Sequence, residues 1–461
     1  MSYTIFSNFV SLIASALVIL IIPKLIGVEE YGYWQLYLFY SSYVGFLHFG
    51  WNDGIYLRFG GEDYNNLDKK LFFSQFVQLL FFQLLIGSTI YGLSNVFMSD
   101  VNRAFIYQMV ALSMVLVNLR IMFLYILQAT NRIREYAWIT MFDRIVYIFL
   151  IALFLTLGVR NYQLMIIADL IGKFFSLIMT VCFCKDIVFN KVSDFFFTIN
   201  EAVANISIGI KLMFANIASL LIIGIVRFGI ERTWDVATFG KVSLTLSISN
   251  MMMIFINAVG IVMYPLLRRT AHEKLSTIYS TMRDFLMPIL LGFLLVYFPM
   301  KIILSAWLPQ YEESLLYMAL VFPMFIYEGK MALLISTYLK TLRRENTMLR
   351  INLISMIISL AMTYMATQIF KNLDLAIVNI VILLALRSAL AETYISKELK
   401  VSVKKDIFLE LSLALVFILT GWYINSWMAT VGYAIAFGIY LFIKRKDLKD
   451  AASNIKILLK E

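Results

Sequence analysis

The chain has 461 residues, of which 61% are hydrophobic and only 15% charged, with a mean hydropathy of +0.82. Soluble domains run about half apolar and a quarter charged, so a water-soluble fold is excluded. The net charge of +10 would suit nucleic acid, but the placement of the basic residues excludes that class too.

About 20 apolar residues carry an α-helix across the roughly 30 Å hydrocarbon core of a bilayer. Apolar runs separated by polar breaks give about fourteen spans, at 3–26, 33–57, 70–97, 104–127, 136–158, 162–184, 204–227, 240–265, 280–303, 314–339, 346–370, 373–396, 406–425 and 429–443. The first lacks a basic leader and a small-residue cleavage site, so it reads as a retained span. Gly27-Val28-Glu29-Glu30 parts spans one and two, and Gly60-Gly61-Glu62-Asp63 closes span two. The spacing of Cys182 and Cys184 gives no disulfide framework, and His48 and His272 give no ligand pattern. The stretch 185–203 is amphipathic and connects two halves along the cytoplasmic face. After Lys444, Leu448, Ala451, Ala452, Ile455, Leu458 and Leu459 recur at helical spacing among lysines, as in a helix lying on the inner leaflet.

The expected architecture is an all-α polytopic membrane protein with two pseudo-symmetric six-helix bundles, 1–184 and 204–396. The linker 185–203 joins them, two further transmembrane helices occupy 397–443, and a basic cytoplasmic tail runs over 444–461. Loops after even-numbered spans, with the tail, hold about 23 Lys and Arg, and odd-side loops about 8. That asymmetry places both termini in the cytoplasm of a multi-pass protein and accounts for the net charge without nucleic acid. A weak internal repeat supports the two bundles: Ile13-Ala14-Ser15 recurs as Ile217-Ala218-Ser219, Lys24-Leu25-Ile26-Gly27 meets Arg227-Phe228-Gly229, and Tyr31-Gly32 meets Phe239-Gly240.

Eight cations remain inside the spans: Arg120, Arg144, Lys173, Lys211, Arg283, Lys330, Arg350 and Arg387. A cation at the bilayer centre costs at least about 2.5–3.5 kcal/mol, so each must face a cavity, a partner or headgroups. All lie toward the cytoplasmic ends of their spans. Arg283 and Arg350 are near enough to the surface to snorkel. Two arrangements suit the rest. One is a solvated cationic vestibule holding phosphate or pyrophosphate. The other is ion pairing, for which Asp169 and Lys173 are correctly spaced at i, i+4. Asp143, Glu328 and Glu392 are further intramembrane acids, but neither Asp143–Arg144, Glu328–Lys330 nor Arg387–Glu392 is spaced to pair on its own helix. Asp53, near the end of span two, suits either a protonatable coupling site or a partner for a neighbouring cation. Pro288 and Pro323 fall inside spans nine and ten, where each removes a helix hydrogen bond and favours a kink.

Three stretches carry a family resemblance: Pro23-Lys24-Leu25-Ile26-Gly27-Val28-Glu29-Glu30-Tyr31-Gly32, Asp53-Gly54-Ile55-Tyr56-Leu57-Arg58-Phe59-Gly60-Gly61, and Tyr338-Leu339-Lys340 through Arg343-Arg344-Glu345 to Asn352. With the span count, they make the chain resemble a bacterial oligosaccharide flippase of the O-antigen and capsule repeat-unit type. That type belongs to the multidrug, oligosaccharidyl-lipid and polysaccharide exporter superfamily. The resemblance implies an inner-membrane protein, not an enzyme, that moves an undecaprenyl-pyrophosphate-linked oligosaccharide to the outer leaflet by alternating access. It implies no cofactor but a proton or sodium gradient. Implied partners are the lipid-linked oligosaccharide, membrane lipids, and the polymerase and glycosyltransferases of the same pathway. By matching position, Lys24 stands where the family carries a basic residue before the first loop, usually Arg, and Arg58 matches the basic residue closing span two. The implied cationic cavity would draw on Lys24, Arg58, Arg120, Arg144, Lys173, Lys211, Lys330 and Arg387. Asp53, Asp143, Asp169, Glu328 and Glu392 are the candidate ion-coupling or pairing acids. A drug exporter of the same superfamily is the nearer rival reading, and a membrane glycosyltransferase or polymerase the more distant one. The short outer loops carry no acid–His or metal-binding pattern for the latter.

Overall fold

The structure is a computed structural model that describes residues 18–268, 274–424 and 426–458, with side chains left undescribed over 254–268 and 455–458. Most of the first expected span, the Ile13-Ala14-Ser15 copy of the repeat, His272 and the end of the tail lie outside the described residues. Among those described, every regular element is helical. The chain forms two compact units, Met1–Ile217 and Ala218–Glu461, each taken here by itself.

The first unit contains α1 (18–25), α2 (Val28–Ser41), α3 (Trp51–Arg58), α4 (Lys69–Phe97), α5 (Val101–Ala129), α6 (Ile133–Thr156), α7 (Tyr162–Phe183), the single turn α8 (Lys185–Val188) and the first half of α9 (Ile199–Thr233). The second contains the rest of α9, then α10 (Val236–Arg268), α11 (Leu275–Phe293), α12 (Tyr297–Trp307), α13 (Glu312–Val321), α14 (Met324–Lys330), α15 (Ser336–Thr341), α16 (Glu345–Tyr364), α17 (Leu373–Leu399), α18 (Lys404–Tyr423), α19 (Trp427–Ile443) and α20 (Arg445–Leu458). Among the described residues, nine helical segments are long and apolar enough to cross a membrane, and eleven if two bent pairs each count as one span. The polar breaks start these helices by capping them. Asp68 accepts from the backbone N–H of Lys70 and Leu71 at the head of α4, and Asp100 from Asn102 and Arg103 at α5. Asn372 and Ser426 do the same for α17 and α19.

Span two, expected unbroken over 33–57, is interrupted between α2 and α3. Phe49 and Gly50 adopt φ of 53° and 84°, a left-handed pair that no α-helix accommodates. The linker 185–203 is built from short turns. Asn190 donates to the carbonyls of Asp186 and Ile187, ending α8, and a 3-10 turn over Val192–Asp194 followed by extended chain from Phe195 leads to α9. It packs on the first unit, with Lys70 paired to Asp194 at 2.7 Å. Lys70 holds the Asp194 carboxyl below its usual range. Span ten bends by 41° between its two halves at Phe322-Pro323, as the proline spacing predicts, whereas α11 runs through Pro288. Finally, the tail is helical, as its periodicity predicts. The chain turns by 63° after α19, and α20 packs along α11, with Ala451 buried and Asn454 donating to Thr281 at 3.2 Å.

One close approach fixes α3. A Cβ on Gly54 would stand 2.0 Å from the carbonyl oxygen of Asn205, and one on Gly209 would stand 2.0 Å from that of Gly50. Only glycine lets the backbones of α3 and α9 touch in this way.

Candidate functional site

The intramembrane charges follow from which helices the fold makes neighbours. In the first unit, Arg120 on α5 reaches Asp143 on α6 at 2.7 Å and donates to Ser176 on α7 at 3.1 Å. Gly172 on α7 makes room for that carboxylate, since a Cβ there would sit 3.3 Å from Asp143 Oδ1. Lys173 pairs with Asp169 one turn away, as the i, i+4 spacing predicts. Tyr37 on α2 donates to the same carboxylate at 2.6 Å, and Lys173 donates to Ser113 on α5 at 2.9 Å. These two sets bind α2, α5, α6 and α7 together.

At the end of the broken second span, Arg58 pairs with Glu201 at 2.8 Å and donates to Asn205 Oδ1 at 2.7 Å. It is therefore anchored to the start of α9. Asp53 is buried and faces His48 Nε2 at 3.6 Å. The other ring nitrogen, Nδ1, accepts from the N–H of Gly50 at 3.0 Å. Asp53 thus faces a histidine of its own span, and no ion pair with a cation of another helix is seen among the described residues.

The second unit concentrates its charge further. Glu328 and Lys330 on α14 pair in register with Arg387 and Glu392 on α17. Arg387 meets Glu328 at 3.2 Å and donates to Asn352 at 3.0 Å and Ser219 at 2.8 Å. Lys330 pairs with Glu392, and with Glu410 of α18 at 2.6 Å. Arg283 on α11 bridges the same two carboxylates at 2.5 Å each and reaches Asp406 at 3.2 Å. From Asp406 the network continues to Lys444 at 2.9 Å, which also contacts Asp284 and Asp447, each at 2.7 Å. Three cations and five carboxylates thus tie α11, α14, α17, α18 and the α19–α20 turn into one body.

Of the two arrangements open to the deep cations, Lys330 and Arg387 take ion pairing. They are 2% and 3% exposed, with their charge taken up by carboxylates inside the unit. Arg120 and Lys173 are likewise paired, each with a side chain less than 15% exposed. Arg283, expected to snorkel, is 2% exposed, because three acids on two other helices surround it. Glu410, Asp406, Asp284 and Lys444 were not among the expected site residues. Their signal was the isolated acid in an apolar run, as at Glu410 within Phe408–Phe417. Of the expected cations, Lys24, Arg144 and Lys211 are exposed on their units.

No family model matches the sequence, and no curated protein is similar to it. Solved structures do match the fold. The lipid II flippase MurJ in an inward closed conformation gives a TM-score of 0.65 at 12% identity, covering 96% of this chain and 98% of that one. A multidrug resistance MATE family transporter of the MOP superfamily, inward-facing, gives 0.63 at 12% identity over 84% of this chain and 94% of that one. A MOP superfamily transporter from Pyrococcus furiosus, described as having a binding pocket of reversed polarity, gives 0.51 at 12% identity over 86% and 94%. The chain has the fold of the MOP superfamily transporters.

Proposed function

We propose that this chain is a flippase that carries an undecaprenyl-pyrophosphate-linked oligosaccharide from the inner to the outer leaflet of a bacterial inner membrane by alternating access. The observation that carries this reading is the extent of the fold match. The lipid-linked precursor flippase is matched over 96% of this chain and the multidrug transporter over 84%. The difference is about the length of α18 to α20, which belong to the body of the second unit. The sequence resemblance to repeat-unit flippases supports the same substrate class.

The charge arrangement divides the labour. Arg120, Lys173, Lys330 and Arg387 hold helices together through ion pairs. The exposed cations Arg144 and Lys211, with Lys24 and the half-buried Arg58, are the residues proposed to meet the pyrophosphate, which accepts several charge-assisted hydrogen bonds at once. Asp53 and its His48 partner form the proposed proton or sodium coupling element, since a buried acid must change charge or partner if a cation is to bind there.

The test is reconstitution in vesicles with a labelled polyprenyl-pyrophosphate oligosaccharide on one leaflet. The expected result is appearance of label on the opposite leaflet, accelerated by an imposed proton or sodium gradient. Export of a cationic dye at equal rates, with no movement of the lipid-linked sugar, would favour the drug-exporter reading instead.

A further inference from the structure

Between α12, the start of α13, the end of α18 and the start of α19, the second unit holds a cleft of about 790 Å³. It is separate from the ion network. Its closed end carries Tyr297, whose residue is fully buried and whose hydroxyl has no hydrogen-bond partner among the described residues. Gly421 faces that ring, and a Cβ there would stand 3.2 Å from Ala319 Cβ and 3.3 Å from Tyr297 Cε1, so glycine lets α18 close against α12 and α13. Lys301 and Ser305 follow Tyr297 at intervals of four residues and also line the cleft. They share one helix face, each step rising about 6 Å. Glu312 and Glu313, both exposed, complete the lining at its mouth, where Glu312 acts electrostatically on Lys301. One wall includes Ile302 and Trp427, which are 72% and 76% exposed, so the cleft opens sideways toward lipid.

Over the buried Tyr297 the cleft therefore presents a cation, a hydroxyl and two carboxylates. A glycerophospholipid with an ethanolamine headgroup offers the complementary order: a phosphate, then an ammonium. We propose that this cleft is a binding site for a zwitterionic ethanolamine phospholipid. Lys301 and Ser305 engage the phosphate, and Glu312 and Glu313 accept from the ammonium. The acyl chains run back into the leaflet over the exposed apolar wall. The loop charges assign this end of the unit to the outer face. Glu313 also contacts Lys241 at 3.5 Å; an anionic glycerol lipid would bring its phosphate to Lys301 but offer no ammonium to Glu312, so the site discriminates by headgroup.

The test uses the full-length protein in nanodiscs of defined mixtures of ethanolamine, glycerol and choline phospholipids, with retained lipid counted by native mass spectrometry. Wild type is expected to retain the ethanolamine lipid about tenfold over the glycerol lipid. The double variant Glu312→Gln with Glu313→Gln, on exposed side chains, is expected to lose that preference without losing thermal stability. Lys301→Gln is expected to reduce retention of both lipids. Equal retention of ethanolamine and glycerol lipids by wild type, or an unchanged preference in the double glutamine variant, would overturn the proposal. Retention of choline lipid equal to that of ethanolamine lipid would overturn the ethanolamine assignment.

Discussion

In the first unit the buried cations are held in small, separate sets. Arg120 has one carboxylate and a serine hydroxyl, and Lys173 has one carboxylate shared with a tyrosine. In the second unit Lys330 and Arg283 share Glu392 and Glu410, and the chain of contacts extends through Asp406 to Lys444. The difference is one of redundancy. A pair that loses its acid leaves one cation partly exposed, able to draw water or a hydroxyl. A shared acid that is lost leaves two cations short of charge in a place water does not reach. The first arrangement lets neighbouring helices shift at modest cost, whereas the second makes α11, α14, α17 and α18 move together.

The sharpest way to break this comparison is to remove one acid from each unit. Glu392→Ala is expected to destabilise the folded protein by about 3–5 kcal/mol, the range for stranding a buried charge. Asp143→Ala is expected to cost about 1–3 kcal/mol, because Arg120 keeps Ser176. Thermal melts in detergent with a ligand-free readout such as tryptophan emission would rank the two. Equal losses would mean the network is no more integrated than the pair.

A second experiment asks whether the network is cooperative or merely crowded. Glu410→Leu alone leaves Lys330 and Arg283 with less negative charge. Adding Lys330→Met removes one of the two cations thus stranded and substitutes apolar volume. The double variant is expected to be more stable than the Glu410→Leu single by about 1–3 kcal/mol, a coupling typical of contacting residues. Additive losses would dissolve the network into independent contacts.

Gly54→Ala probes the contact that the first unit uses in place of a network. A methyl group directed at the Asn205 carbonyl forces α3 and α9 apart, at an expected cost of about 1–3 kcal/mol. It also loosens the Arg58–Glu201 pair, which a distance measurement between spin labels on α3 and α9 would register. No change in either quantity would show that the helices tolerate separation there.

How much of this was readable beforehand depends on range. Asp169 and Lys173 lie one turn apart, so helical periodicity alone announces their pairing. Pro323 likewise announces the bend of its span, because the missing N–H is local. The same local reasoning showed that Glu328–Lys330 and Arg387–Glu392 do not pair on their own helices. It could not show that the two couples pair with each other, since that requires α14 and α17 to be neighbours in register. Arg283 and Glu410 are 127 residues apart in sequence, and nothing in either segment names the other. The break at Phe49-Gly50 was hidden for a related reason: the sequence around it is apolar enough to read as continuous helix, and only the contact with α9 selects the left-handed pair. The tail shows both sides: its periodicity announces a helix, but that the helix packs along α11, with Lys444 buried among three carboxylates, rests on residues far away in sequence.

The smallest expected effect on stability separates structural from functional charge. Arg144 and Lys211 are exposed and make no ion pair within 4 Å among the described residues, so Arg144→Gln and Lys211→Gln should each shift stability by no more than about 0.5 kcal/mol. If they meet the pyrophosphate, each loss should still slow flipping by about tenfold, the rate equivalent of one charge-assisted hydrogen bond. The network variants should show the opposite ratio, with large stability losses and flipping that recovers in the compensated Lys330→Met with Glu410→Leu protein. Measured on the same reconstituted samples, melting temperature and flipping rate would then place each cation on one side or the other. Exposed cations whose loss leaves the rate unchanged would remove them from the transport path and return the search for the anion's ligands to the paired residues, which would have to release their carboxylates during the cycle.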